Sequence, residues 1–363
     1  RCRMDKLDIA VVPGDGVGSE VMAEGLKALD AVARIHGGLE FRLREFPWGC
    51  EHYLKTGRMM DEDGLAALAD HHAVLLGAVG APGIVPDHVS LWGLLLPIRK
   101  TFDQYVNLRP IKLLKGVPSR LVGKGPEDID FVVVRENTEG EYSGVGGRVH
   151  VGTPYEVAVQ SNVFTRVGTE RIMRYAFDLA RSRNKSKSVV SVTKSNACNY
   201  SMVFWDEVLR EVARDYPDIE THQVHVDAAS MYLITKPEWF DVIVATNLFG
   251  DILTDEGAAI QGSIGLAAGA NLNPERKYPS MFEPIHGSAP DIAGKGIANP
   301  IAMIWSVAMM LDFVGHSELG KLVMKAIECT LSDHRAPRPI DLGGTASTSQ
   351  VGDAVCERLL ALQ

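Results

Sequence analysis

Short β-branched apolar runs alternate with amphipathic helical stretches along most of the chain, and this alternation narrows the fold more than any other feature. The runs include 8-DIAVV-12, 73-AVLLGAV-79, 131-FVVV-134, 189-VVSVT-193, 222-HQVHV-226 and 242-VIVAT-246. Between several of them lie helical patterns at 19–37, 166–183 and 201–216. Strand alternating with helix predicts an α/β protein with a largely parallel sheet. A length of 363 residues leaves room for two domains, or for one with an insertion. Residues 140–163 break the pattern: they are Gly-rich, alternate apolar with polar, and lack a helical period. They predict a β arm and a candidate subunit contact. Borders near 103–110 and 257–262 divide the chain into 1–104 plus 260–363 and an inserted domain, 105–259.

The formal charge, 37 basic against 46 acidic side chains, is −9. That argues against nucleic acid or an anionic membrane as the main partner. Cys2, Cys50, Cys198, Cys329 and Cys356 are scattered and contain no CxxC pair. Free thiols in a reducing compartment are expected, with neither a disulfide framework nor a zinc site. The opening RCRMDKLDIAVVPGDG has no signal-peptide core. The apolar stretch 301-IAMIWSVAMML-311 is shorter than the roughly 20 residues of a membrane span and reads as a buried helix. A soluble, cytoplasmic protein is expected.

In open α/β sheets ligands bind beyond the carboxyl ends of the strands. Here the residues that follow the apolar runs carry chemistry. Arg135, Glu136 and Asn137 follow FVVV, and Lys194, Ser195 and Asn196 follow VVSVT. Asp227 follows HQVHV, and Asn247 then Asp251 follow VIVAT. In 247-NLFGDILTDEG-257, Asp251 and Asp255 sit four apart on one helix face, where like charges repel by a few tenths of a kcal/mol. Such a pair is either a solvated face or the seat of a cation. With Asp227 it would make an all-oxygen site for Mg²⁺ or Mn²⁺. Arg99, Arg109 and Arg135 are candidates for bidentate carboxylate binding, the alternative being surface salt bridges.

Two glycine-rich segments compete for a nucleotide. In 13-PGDGVGSE-20, Ser19 stands where G-x-G-x-x-G needs glycine, so an ordinary Rossmann fingerprint is rejected. The second, 283-EPIHGSAPDIAGKGIANP-300, offers backbone N–H groups at Gly287, Ser288 and Ala289 and an acceptor for ribose hydroxyls at Asp291. It is either a dinucleotide loop or a structural turn.

The set NLRP (107–110), VRENTEGEYSG (134–144), KSNA (194–197), NLFGDILTDEG and EPIHGSAPDIAGKGIANP resembles the metal-dependent β-decarboxylating dehydrogenases, which act on isopropylmalate, isocitrate, homoisocitrate and tartrate or D-malate. The resemblance runs from PGDGVG to DLGGTAST (341–348). It implies the isocitrate/isopropylmalate dehydrogenase-like fold, two α/β domains sharing a mixed sheet, with 1–104 plus 260–363 as the cofactor-side domain. It also implies a homodimer with shared active sites, the lysine and one aspartate coming from the partner, and the 140–163 segment as the intersubunit arm. Carried over by motif, Arg99, Arg109 and Arg135 bind substrate carboxylates, Tyr142 is the general acid and Lys194 the general base. Asp227, Asp251 and Asp255 hold Mg²⁺ or Mn²⁺. Asp291 and Ile292 stand where NADP enzymes carry a basic and aromatic pair, so NAD is the expected cofactor. His286 and Asn299 are placed at the adenine and Asn196 at the nicotinamide ribose. K⁺ is a further cofactor of many members.

Within the family, 90-SLWGLLLPIR-99 is read for substrate. Isocitrate enzymes place Ser and Asn six and four positions before the arginine, where this chain has Gly93 and Leu95. Isopropylmalate enzymes place a Glu seven before it and then a Leu pair for the alkyl group; here Trp92 replaces the Glu, while Leu95 and Leu96 remain. The segment is most similar to the tartrate/D-malate dehydrogenase branch, which implies NAD- and metal-dependent oxidation of a small 2-hydroxy dicarboxylate, with or without decarboxylation. 3-Isopropylmalate dehydrogenase is the alternative. A non-catalytic regulatory subunit and a Mg²⁺-dependent phosphatase are alternatives of other classes; retention of Tyr142, Lys194 and the three aspartates opposes the first, and the EPIHGSAPD loop opposes the second.

Overall fold

A computed structural model describes residues 5–362, so Cys2 lies outside the described residues. In chain order the strands are β1 (Asp5–Gly14), β2 (Leu39–Glu45), β3 (Ala73–Ala78), β4 (Val106–Lys112), β5 (Asp130–Glu136), β6 (Gly140–Val149), β7 (Val157–Val163), β8 (Ser188–Thr193), β9 (Glu220–His225), β10 (Val242–Ala245), β11 (Ala268–Leu272) and β12 (Ser280–Pro284). The chain divides into two units. The first holds the residues up to Gln104, Lys112–Pro126 and the chain from Ala258 onward; the second holds Tyr105–Ile111 and Glu127–Gly257.

In the first unit the strands run in the order β2-β1-β3-β12-β11. The pairs β2/β1, β1/β3 and β3/β12 are parallel, and β11 lies antiparallel to β12. Every residue of β3, β11 and β12 is buried. Strands covered on both faces read as unbroken apolar runs. The run at 301–311 belongs to the helix Ile301–Phe313, which is buried on nearly all sides and so has no polar stripe. The helix Gly18–His36 is amphipathic instead. It buries Val21, Met22, Leu29 and Val32 and stops at Gly37, whose φ of 68° gives a left-handed cap.

The second unit orders its strands β4-β5-β10-β8-β9, with β5, β10, β8 and β9 all parallel. The helix Arg166–Arg183 begins at Thr165, whose side chain accepts from Gly168 N–H, and buries Ile172, Met173, Ala176, Phe177 and Ala180. That spacing is one helical face, and the Thr165 cap satisfies an otherwise orphaned donor. Segment 140–163 forms its own antiparallel sheet from β6 and β7. Val145, Val149, Val157 and Val159 on it are about half exposed. Parallel strands share a carboxyl edge, so the residues after β5, β8, β9 and β10 emerge along one side of this unit.

Among the described residues, no helix is long and apolar enough to cross a membrane. The four described cysteines, Cys50, Cys198, Cys329 and Cys356, are free.

Candidate active site

In the second unit, Asp251 is the hub. It lies one turn into the helix Asn247–Ile260, which follows β10 directly. Its Oδ1 accepts from Arg135 Nη1 at 2.7 Å and from Arg109 Nη1 at 3.4 Å. Its Oδ2 accepts from the Tyr142 hydroxyl at 2.8 Å. Both arginines are almost fully buried, at 2% and 4% exposure. Such guanidiniums persist only where each is paired and hydrogen-bonded. Arg135 Nε and Nη2 donate to Asn247 Oδ1 at 3.0 and 2.7 Å. Arg109 Nε donates to Asn107 Oδ1 at 3.1 Å, and its Nη1 also reaches Thr254 Oγ1. Gly250 lets the helix pass this close, because a Cβ there would sit 2.6 Å from Arg135 Cγ. The Arg135 guanidinium also lies over the Tyr142 ring, 5.5 Å from its centroid.

Asp255 follows one turn later on the same helix. Crowding by the surrounding protein first, and the Asp251 charge second, raise its pKa against the pull of Arg109 and Arg135. Two carboxylates held together beside two guanidiniums suit an anionic ligand carried with a hard cation.

Lys194 and Asp227 form a separate ion pair, Nζ to Oδ1 at 2.8 Å. The hydrogen bond from Lys194 is the main cause of a lowered Asp227 pKa. Lys194 leaves the end of β8, and Asp227 opens the helix Val226–Thr235 after β9, on adjacent parallel strands. Asn196 is exposed two residues past Lys194. Among the described residues, no three His, Cys, Asp or Glu side chains of one chain converge on a metal position. Asp227 is thus not gathered with Asp251 and Asp255 within a single chain.

In the first unit, Arg99 is 5% exposed and donates through Nη2 to Glu283 Oε1 at 3.3 Å. Among the described residues, its Nε is buried without a partner, as is Glu283 Oε2. Leu96 is buried, and Leu95 packs against the apolar cluster that contains Trp48, Leu94 and Phe102. A π-turn at Leu91–Leu95 precedes Arg99. Trp92 lies in this turn, and Lys100 Nζ stands 4.4 Å from its ring centroid.

The segment 283–300 borders a cavity of about 240 Å³ in the same unit, with apolar walls from Val17, Ile264, Ile292 and Ile297. His286 Nδ1 pairs with Gly287 O at 2.9 Å, and its Nε2 is buried without a partner among the described residues. Desolvation lowers its pKa, which favours the neutral ring. Asn299 is fixed at both ends: Oδ1 accepts from Ile301 N–H at 3.0 Å and Nδ2 donates to Asp341 Oδ2 at 3.1 Å. Ser288 is buried, Ala289 takes a left-handed φ of 44°, and Gly287 and Asp291 are exposed. Asp341 and Ser263, hydrogen-bonded to each other at 2.5 Å, also line this cavity. Sequence reasoning missed both. The DLGGTAST segment that begins at Asp341 was visible, but nothing in it reports contact with Asn299, 42 residues away.

Comparison with known proteins identifies the family. Residues 8–355 match the family described as isocitrate/isopropylmalate dehydrogenase. A probable tartrate dehydrogenase/decarboxylase of Bacillus subtilis (strain 168) is 53% identical over 359 residues, covering 99% of both chains. A D-malate dehydrogenase (decarboxylating) of Escherichia coli (strain K12) is 51% identical over 363 residues, covering 98% of this chain and 99% of that one. The crystal structure of an isocitrate dehydrogenase from Methylococcus capsulatus superimposes with a TM-score of 0.86 at 34% identity, covering 97% of this chain and 99% of that one. With a family match over residues 8–355 and a relative 53% identical over nearly the whole length, the chain belongs to the isocitrate/isopropylmalate dehydrogenase family.

Proposed function

We propose that this protein is an NAD-dependent, divalent-metal-dependent dehydrogenase that oxidises, and where the substrate allows decarboxylates, a small 2-hydroxy dicarboxylate of the tartrate and D-malate type. The observation that carries this reading is the Asp251 carboxylate shared by Arg135 and Tyr142 at 2.7 and 2.8 Å, with Asp255 one turn away. The names of the relatives that are about half identical support the substrate class.

Asp251, Asp255 and the partner subunit's Asp227 would hold Mg²⁺ or Mn²⁺, an all-oxygen set suited to a hard cation. That ion would supply Lewis-acid polarisation of the substrate's C2 hydroxyl and neighbouring carboxylate. The cavity beside 283–300 would hold NAD⁺, which would serve as the hydride acceptor. Arg109 and Arg135 bind and orient the substrate carboxylates, and Arg99, with a buried Nε still unpaired, adds a third anion-binding group. Lys194 of the partner subunit takes the hydroxyl proton, and Tyr142 returns a proton to the carbon that loses CO₂. His286, neutral and unpaired at Nε2, presents its ring to the adenine beside Asn299, and Asn196 faces the nicotinamide ribose. Asp291 accepts from ribose hydroxyls and repels a 2′-phosphate. The exposed valines of β6 and β7 form the dimer arm.

One packing fact opposes an isocitrate-type site. A Cβ at Gly93 would lie 2.6 Å from Met59 Cγ, which leaves no room for the serine of isocitrate enzymes. Leu96 is buried, whereas Leu95 is only partly buried where it packs against the core cluster, which leaves Leu95 as the substrate-binding member of the pair. The deciding experiment is NAD⁺ reduction with Mn²⁺ across D-malate, the tartrates, 3-isopropylmalate and isocitrate, with CO₂ measured. Turnover of D-malate or a tartrate well above the other two is expected. Preference for 3-isopropylmalate or isocitrate, or no NAD⁺ reduction at all, would overturn the proposal.

A further inference from the structure

The PGDGVGSE turn, rejected as a Rossmann fingerprint, acquires a different role in the structure. Its glycines make room for other backbone. A Cβ at Gly14, which has φ 73°, would lie 1.8 Å from Ala78 O; one at Gly16, φ 56°, would lie 2.0 Å from Ser288 O. Val17 N–H then donates to Ser288 O at 2.8 Å. Glu20, in the first turn of the helix Gly18–His36, completes the attachment. Its Oε2 accepts from Gly294 N–H at 2.9 Å and its Oε1 from Gly296 N–H at 2.8 Å. Both glycines are left-handed, with φ of 79° and 64°. On the other side of the segment, Thr348 N–H donates to Gly296 O at 2.9 Å.

We infer that Glu20 is a positioning residue for the cofactor: its carboxylate straps the 283–300 segment through two backbone amides and so sets the shape of the NAD cavity. The inference rests on the reading of that segment as the dinucleotide site. The physical reason is entropic. The segment between Ala289 and Ala298 belongs to no helix or strand and contains two glycines, so without Glu20 it must be ordered at the moment the dinucleotide binds. Two charge-assisted hydrogen bonds meet that ordering cost in advance. Val17 stands in the cavity wall, so the same turn both shapes the pocket and holds its loop.

The test compares wild type, Glu20→Gln and Glu20→Ala by NADH binding, steady-state kinetics and amide hydrogen exchange. Glu20→Ala should weaken NADH and raise the KM for NAD⁺ about tenfold, equivalent to about 1.4 kcal/mol. The kcat and the KM for the hydroxy diacid should stay within about twofold, because Glu20 touches neither the metal-binding carboxylates nor Arg99. Exchange at Gly294 and Gly296 should quicken. Glu20→Gln keeps one acceptor and should fall between the two. A Glu20→Ala protein that binds NADH as wild type does overturns the strap. So does an equal loss in kcat and both KM values, which is damage to the fold. A wild-type protein that binds no NADH overturns the proposal through the cofactor reading beneath it.

Discussion

The Tyr142 hydroxyl donates to Asp251 Oδ2 at 2.8 Å while Arg135 occupies Oδ1 of the same carboxylate. One aspartate therefore orients both the proposed proton donor and the proposed carboxylate receptor. Replacing Tyr142 by Phe keeps the ring under Arg135 but removes the proton. The kcat for CO₂ release should fall about 10²- to 10³-fold, with the KM for NAD⁺ little changed. Parallel measurement of CO₂ and NADH checks this; unaltered turnover would remove Tyr142 from the chemistry.

Lys194, the proposed general base, donates from Nζ to Asp227 Oδ1 at 2.8 Å. Lys194→Ala should lower oxidation by about 10³-fold or more and leave NADH binding nearly intact, and added primary amines should restore part of the rate. Full turnover in Lys194→Ala would defeat the base assignment.

Glu136, which ends β5, makes a pH prediction. Its carboxylate accepts from Thr138 N–H, Thr138 Oγ1 and Glu139 N–H at 2.8–2.9 Å. Burial nonetheless pushes it from 4.5 up to about 7. A carboxyl with a raised folded-state pKa contributes stability that is present below the unfolded value and is lost as pH climbs through the folded one. Its contribution should therefore fall between about pH 4.5 and pH 7 and then level, by up to roughly 3 kcal/mol at 1.36 kcal/mol per pH unit. Denaturant unfolding of wild type and Glu136→Gln across this window checks it, since the variant should lose that part of the slope.

Gly93→Ser tests the substrate argument from packing. Overfilling the space against the buried Met59 should cost about 1–3 kcal/mol and yield no isocitrate turnover. Isocitrate activity in a variant of unchanged stability would show that the constraint is absent.

How much was readable in advance follows from burial. The runs 131–134 and 189–193 are covered on both faces, so the sequence shows them as unbroken apolar stretches and Arg135 and Lys194 stand out where they end. By contrast β2 is mostly exposed and carries charges at Glu40, Arg42, Arg44 and Glu45, a composition that hides a strand. The pairing of Asp341 with Asn299 and the grip of Glu20 on Gly294 and Gly296 join residues far apart in sequence, and no local pattern reports them. The π-turn before Arg99 is a tertiary accommodation as well. Trp92 lies within it, with Lys100 Nζ 4.4 Å from the ring centroid.

Subunit complementation most directly probes the claim that a divalent ion is gathered by Asp251, Asp255 and an aspartate from the other protomer. Asp227→Asn and Asp251→Asn homomers should each be nearly inactive. After mixing and subunit exchange, half of the dimers are mixed, and each of these carries one intact site of two, so about a quarter of wild-type activity should return. Mixed dimers verified by mass that remain inactive would contradict the account.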